Sequence, residues 1–170
     1  MALSKDLLKS LLLKAFSDIK RNPGSNSLPL ISQEVAMKLA LAYDQYAKLA
    51  NAGPLLPATP GNITGLASQL SSLPLFSGWG PGLVLYWTPV MFSGPGFIPV
   101  NPTVAAGASV ASAQIASYLS PIISSIGSSK QTEDQFLESL SSILHSATQT
   151  VIVTATTTTA PPVVSTIPVS

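Results

Sequence analysis

The sequence predicts a mainly α-helical subunit with a glycine- and proline-rich apolar centre and a short C-terminal β-strand or hairpin arm. Three observations predict it. Formal charge is confined to Lys5–Lys48 and Lys130–Glu138, and both stretches repeat apolar residues at helical spacing. Between them, residues 49–129 contain no Asp, Glu, Lys, Arg or His. The tail from Thr148 to Ser170 is dense in Thr, Val and Ile, contains Pro161, Pro162 and Pro168, and is also uncharged. The expected organisation is a helical domain over 1–147, built around the uncharged centre 49–129, followed by an extended arm over 148–170.

A length of 170 residues suits one domain with a real core. Only 9% of residues are charged and 46% are hydrophobic, against about 25% charged in an ordinary globular chain, so the chain should order. The net charge of +1 offers no field for a polyanion, and nucleic-acid binding is not expected. With no cysteine there is no disulfide framework, thiolate nucleophile or sulfur metal site. Lys5, Asp6, Lys9 and Lys14 interrupt the apolar run that a secretory signal would need. Two windows are long enough to cross a bilayer. Prolines and glycines would leave backbone groups unpaired in 82–100, and serines, Gln114 and Pro121 make 105–127 a poor span.

The first helix is expected over Leu3 to Lys20, with apolar positions Leu7, Leu8, Leu11, Leu12, Ala15, Phe16 and Ile19. Ser4 is its N-cap and Asn22-Pro23-Gly24 its stop. Its charges read as a solvated face. A second helix should start with Ser32 as cap and run to about Ala50, with Glu34 and Lys38 paired at i, i+4. Tyr43 and Tyr46 lie on its apolar stripe and should pack with their hydroxyls at the rim. A short helix follows from Asn62 or Thr64 to Leu73.

The aromatic centre comes next, with Trp79, Tyr86, Trp87 and Phe92. Prolines and glycines between Gly78 and Gly96 exclude a long helix, and Leu83–Trp87 reads as one buried strand or a single helical turn. Thr103 to Gly127 is Ala/Ser-rich and reads as a helix with Thr103 near its cap, kinked or broken before Pro121. The last helix should open at Thr132-Glu133-Asp134-Gln135, with Thr132 as cap and acids at the positive end of the dipole. His145, the single histidine, falls near its end as a pH-sensitive group or helix-end cation. In the tail, Thr150–Thr156 and Val163–Val169 are strands by composition. Either they pair as a local hairpin or one of them adds to a neighbouring subunit.

The sequence carries no motif for chemistry. Gly78–Gly82 is followed by Leu83 and Val84, not by the basic residue of a phosphate loop. No Gly-x-Ser-x-Gly elbow occurs, and Ser77 and Ser93 have no neighbouring base. The carboxylates fit solvated helix faces. An enzyme, a cofactor and a metal are therefore not expected.

Two amphipathic N-terminal helices, the Trp-Gly-Pro at Trp79 and Tyr-Trp-Thr-Pro at Tyr86, an Ala/Ser helix, a helix ending in Leu-His-Ser-Ala-Thr-Gln-Thr-Val-Ile-Val-Thr and a charge-free Thr/Pro/Val tail make a layout. This layout resembles small structural proteins of tailed bacteriophage particles. The resemblance implies a many-copy virion component of the tail, neck or baseplate, with copies of itself and other virion structural proteins as partners. The interaction residues expected on this reading are Trp79, Tyr86, Trp87, Phe92, Val151, Val153, Val163 and Ile167. Two alternatives remain open: a membrane-active or membrane-associated small protein, and a small binding module with an aromatic pocket near Tyr86 and Trp87. Deleting 148–170 should, on the subunit reading, leave the helical unit folded.

Overall fold

A computed structural model of the chain describes residues 3–21, 32–73, 77–104 and 130–170. Among these residues the architecture is mainly α, with five helices and two small antiparallel strand pairs. In chain order the elements are α1 (Lys5–Arg21), α2 (Gln33–Ala47), β1 (Leu56–Pro57), α3 (Ile63–Ser72), α4 (Trp79–Trp87), β2 (Phe92–Ser93), α5 (Lys130–Gln149), β3 (Ile152–Thr156) and β4 (Val164–Pro168).

Ser4 ends α1 as expected, its carbonyl accepting from Leu8 N–H at 3.1 Å. Leu8, Leu12 and Ala15 form the buried stripe of α1; the expected stop at 22–24 lies outside the described residues. Ser32 caps α2 by accepting from Val35 N–H at 3.3 Å. The helix ends at Ala47, short of the expected Ala50, because Leu49 and Ala50 hydrogen-bond back three residues in a tightened last turn. Asn62 caps α3 through Gly65 N–H at 2.8 Å.

The aromatic centre departs from expectation. Trp79–Trp87 is neither a strand nor a single turn but a nine-residue helix that accommodates Gly80, Pro81 and Gly82. Pro81 is the third helical residue, where a backbone N–H has no intrahelical partner in any case, so the ring removes nothing. Glycine is needed on this segment for close approach. A Cβ at Gly78 would stand 2.1 Å from the Gln69 carbonyl oxygen, and one at Gly82 would stand 2.6 Å from Leu66 Cδ1. The glycines thus let α4 lie directly on α3.

Two capping expectations are also corrected. Thr103 is not a helix cap, since it exchanges both backbone hydrogen bonds with Ile152 at 2.8 and 3.0 Å; the expected helix beyond it, at 105–127, lies outside the described residues. Thr132 falls inside α5, which begins at Lys130. The same helix runs past the expected domain boundary after residue 147, to Gln149.

Helix α1 packs against α2 on one side and α5 on the other, while α3 bridges α2 and α4. β1 pairs with β2 in the register Leu56 with Ser93 and Pro57 with Phe92. β3 pairs with β4 from Ile152 with Pro168 to Thr156 with Val164. Single bridges at Phe92–Val100, Phe97–Thr157 and Thr103–Ile152 lay the segment 97–103 between the two pairs. At the chain end, Asn51 and Ser170 exchange backbone bonds of 3.0 and 2.9 Å. The tail expected as an extended arm is folded against the helices. Val151, Val153, Ala155 and Val169 belong to the same buried core as Leu39 and Phe92, because alternation points one face of the hairpin inward.

Candidate functional site

Of the residues expected at an interaction surface, Trp79, Tyr86, Trp87, Phe92, Val151 and Val153 are buried inside the chain's own core. Burial replaces the expected surface here: α4 lies on α3 and its rings meet Tyr43 of α2, while Val151 and Val153 join the same hydrophobic core. Ile167 is partly buried, with Gly53 beside it. Val163 alone of the eight is open, 56% exposed.

The buried residues assemble around α2. Tyr43 meets Tyr86 edge to face at 5.2 Å and Trp79 at 5.9 Å, and Trp87 stacks on Phe92 at 6.2 Å. Their polar atoms form a directed chain. Thr148 Oγ1 donates to the Leu144 carbonyl at 2.7 Å, which commits its one hydrogen. Tyr43 must therefore donate to Thr148 Oγ1, at 2.8 Å, and its oxygen accepts from Trp87 Nε1 at 3.0 Å. Nearby, Tyr86 donates to Asp44 Oδ1 at 2.8 Å, and Lys48 pairs with the other oxygen of this carboxylate. Tyr46 Oη lies 2.6 Å from His145 Nδ1.

These links tie α4 and α5 to α2 through hydroxyls set in the interior rather than at the rim. Burial pushes the Tyr43 hydroxyl up to about 12. It also raises Tyr46 and Tyr86, with the Asp44 hydrogen bond adding to the second. The hydroxyls stay neutral, and the hydrogens of Tyr43 and Tyr86 are committed to Thr148 and Asp44, which suits a fixed joint between helices. Trp79 Nε1 is buried with no acceptor.

Asp44 was missed in the sequence. The available signal was its position four residues after Ala40, within the apolar stripe of α2, where an acid needs buried partners. His145 is not a free helix-end cation: burial, with Lys5 opposing its charge, lowers its pKa. The charges of α1 and α5, expected on solvated faces, meet across the helix pair. Glu138 binds Lys5, and Lys9 at 2.9 Å, with Asp134 3.7 Å from Lys9. Hydrogen bonds from the two lysines lower the Glu138 carboxyl to about 2.

Two features face outward. A cleft of about 200 Å³ between α1 and α2 is lined by Leu11, Lys14, Ala15, Asp18, Lys38, Leu41, Ala42 and Gln45. It includes none of the expected aromatic residues. The second feature is the C-terminal sheet. Backbone bonds from Val169 to Val151 and from Thr157 to Val163 place the odd-numbered residues of 163–169 in hydrogen-bonded pairs with β3. The alternation of an antiparallel ladder then turns the main-chain groups of Val164 and Thr166 away from β3. Ser170, next but one after Pro168, follows the same alternation and bonds outward to Asn51. Among the described residues no strand pairs with this outer edge of β4.

Among the described residues no group of three or more potential metal ligands comes together. No described helix is long and apolar enough to cross a membrane. Comparisons with protein-family models, with curated proteins and with solved structures return no match for this chain.

Proposed function

We propose that this chain is a structural subunit of a multi-copy protein assembly, held by apolar subunit contacts and by strand addition at the C-terminal hairpin. The observation that carries the reading is the outer edge of β4: a strand with open main-chain groups, with Val163 and Val164 56% and 62% exposed beside it and no charged residue after Glu138. Native sheets normally blunt such an edge with charge or cover it, and strand addition is a recurrent mode of assembly. The resemblance to phage structural proteins supports a place in a virion, in the tail, neck or baseplate. In this reading the buried aromatic cluster is scaffold, and it keeps the helices in place behind the sheet.

Sedimentation of the purified chain over a range of concentrations, with flotation on liposomes in parallel, tests the proposal. Concentration-dependent assembly without flotation is the expected result. A monomer that stays soluble at high concentration in plain buffer overturns it, and flotation with the vesicles would favour the membrane-associated alternative.

A further inference from the structure

The open edge of β4 is symmetric about Ser165. Its outward donors are the N–H groups of Val164 and Thr166, one residue to either side. Pro162 and Pro168, three residues to either side, carry no N–H and end the donor ladder at equal distances. A twofold axis through Ser165 therefore brings Val164 opposite Thr166 of a second copy. Each residue meets a partner that offers one donor and one acceptor, so the two exchange both main-chain bonds as in any antiparallel hydrogen-bonded pair. The prolines of one strand fall opposite those of the other, and the ladder stops at the same place on both.

Charge points the same way. Between residues 139 and 170 there is no Asp, Glu, Lys or Arg, so a copy facing itself meets no like-charge repulsion, whereas a charged foreign strand would find nothing on β3 or β4 to answer it. Asn51 already occupies the edge beside Ser170, which confines the incoming strand to the stretch before Pro168. The side chains brought together, Val164 against Thr166, are both β-branched, the kind that packs well across a ladder.

We propose that two copies of this chain join β4 to β4, antiparallel, about a twofold axis at Ser165, making one continuous sheet across the interface. This deepens the subunit reading and rests on it, naming the partner as a second copy and fixing the register.

The chain contains no cysteine, so Ser165→Cys supplies a single probe. Residues directly opposite in a non-hydrogen-bonded pair have Cβ atoms about 4.5–5.5 Å apart, close to what a disulfide needs. Mild oxidation of Ser165→Cys should give a reducible covalent dimer, and Ser68→Cys on the exposed face of α3 should not. Thr166→Pro removes an outward N–H and leaves the bonds to β3 in place. Val164→Lys puts a charge beside the twofold axis. Each should convert a species of twice 17.5 kDa into one of 17.5 kDa, with an unchanged helical circular dichroism spectrum. If Thr166→Pro fails to fold, Val164→Lys decides alone. Equal crosslinking at residues 165 and 68, or an assembly whose mass Val164→Lys does not change, overturns the β4 pairing and leaves the subunit reading standing. A wild-type chain that stays at 17.5 kDa at every concentration overturns both.

Discussion

Helix α4 and strand β4 come from equally uncharged sequence, yet they end in opposite surroundings. Trp79, Leu83, Tyr86 and Trp87 of α4 are buried, whereas every residue of β4 except the partly buried Ile167 is exposed. The contrast shows that missing charge has two causes. In α4 it reflects burial by the same chain, since the helix lies on α3, its rings meet Tyr43 of α2, and Tyr86 Oη and Trp87 Nε1 find partners on α2. In β4 nothing in the described chain covers the outer edge, so there the lack of charge is informative about a partner. The polar groups follow the same division: Tyr43, Tyr86 and Trp87 close their hydrogen bonds inside, and the edge strand leaves them open.

The largest test of this contrast is Trp87→Ala. It removes an indole that stacks on Phe92 and donates to Tyr43, and it should cost about 3–5 kcal/mol of unfolding free energy, read from denaturant midpoints. A loss below about 1 kcal/mol would mean that α4 is not a core element. Next is alkaline pH. The tyrosine pKa in the folded chain is raised from 10 to about 12 at Tyr43, so the unfolded chain loses its proton first and stability falls as pH rises above 10. For Tyr43 alone the loss by pH 12 is on the order of 2–3 kcal/mol, with Tyr46 and Tyr86 adding to it. Following the unfolding midpoint from pH 8 to 12 checks this, and a flat profile would place the hydroxyls in water.

Tyr43→Phe keeps the ring but leaves Trp87 Nε1 without its acceptor, while Thr148 Oγ1 keeps its bond to Leu144; the cost should be about 1–3 kcal/mol, read from the denaturant midpoint. On the acid side, His145 has a lowered pKa, so the unfolded chain binds its proton first and stability falls as pH drops below 6.5. The His145→Gln variant should flatten that slope. The Glu138 contribution stays separate, since a carboxyl lowered from 4.5 to about 2 keeps its stabilising effect until pH falls below 4.5 and loses it toward pH 2. The smallest effect belongs to the edge. Compared at a dilution where both chains are monomeric, Val164→Lys should leave the midpoint within about 0.5 kcal/mol of wild type, as exposed substitutions usually do. A large loss there would erase the distinction between the two regions. Truncation cannot serve this purpose: removing 148–170 also removes Thr148, Val151, Val153 and Val169 from the core, so the helical unit should lose stability, rather than stay folded, without its tail.

The sequence by itself determined the local structure that depends on near neighbours. The Ser32 cap, a helix starting at Asn62 or Thr64, the apolar stripes of α1, α2 and α5, and the strand character of 152–156 and 164–168 could all be read, because caps and periodicity act over a few residues. It did not determine α4, where Gly80, Pro81 and Gly82 argue locally against a helix and where the deciding contacts come from α3, close to Gly78 and Gly82. Nor did it reveal that Tyr43, Asp44 and Tyr46 face Thr148, Tyr86 and His145, partners 42 to 105 residues away along the chain. Which uncharged residues are covered by the chain and which wait at an edge was likewise a tertiary decision. Burial is a property of what packs on a residue, and composition records only that something could.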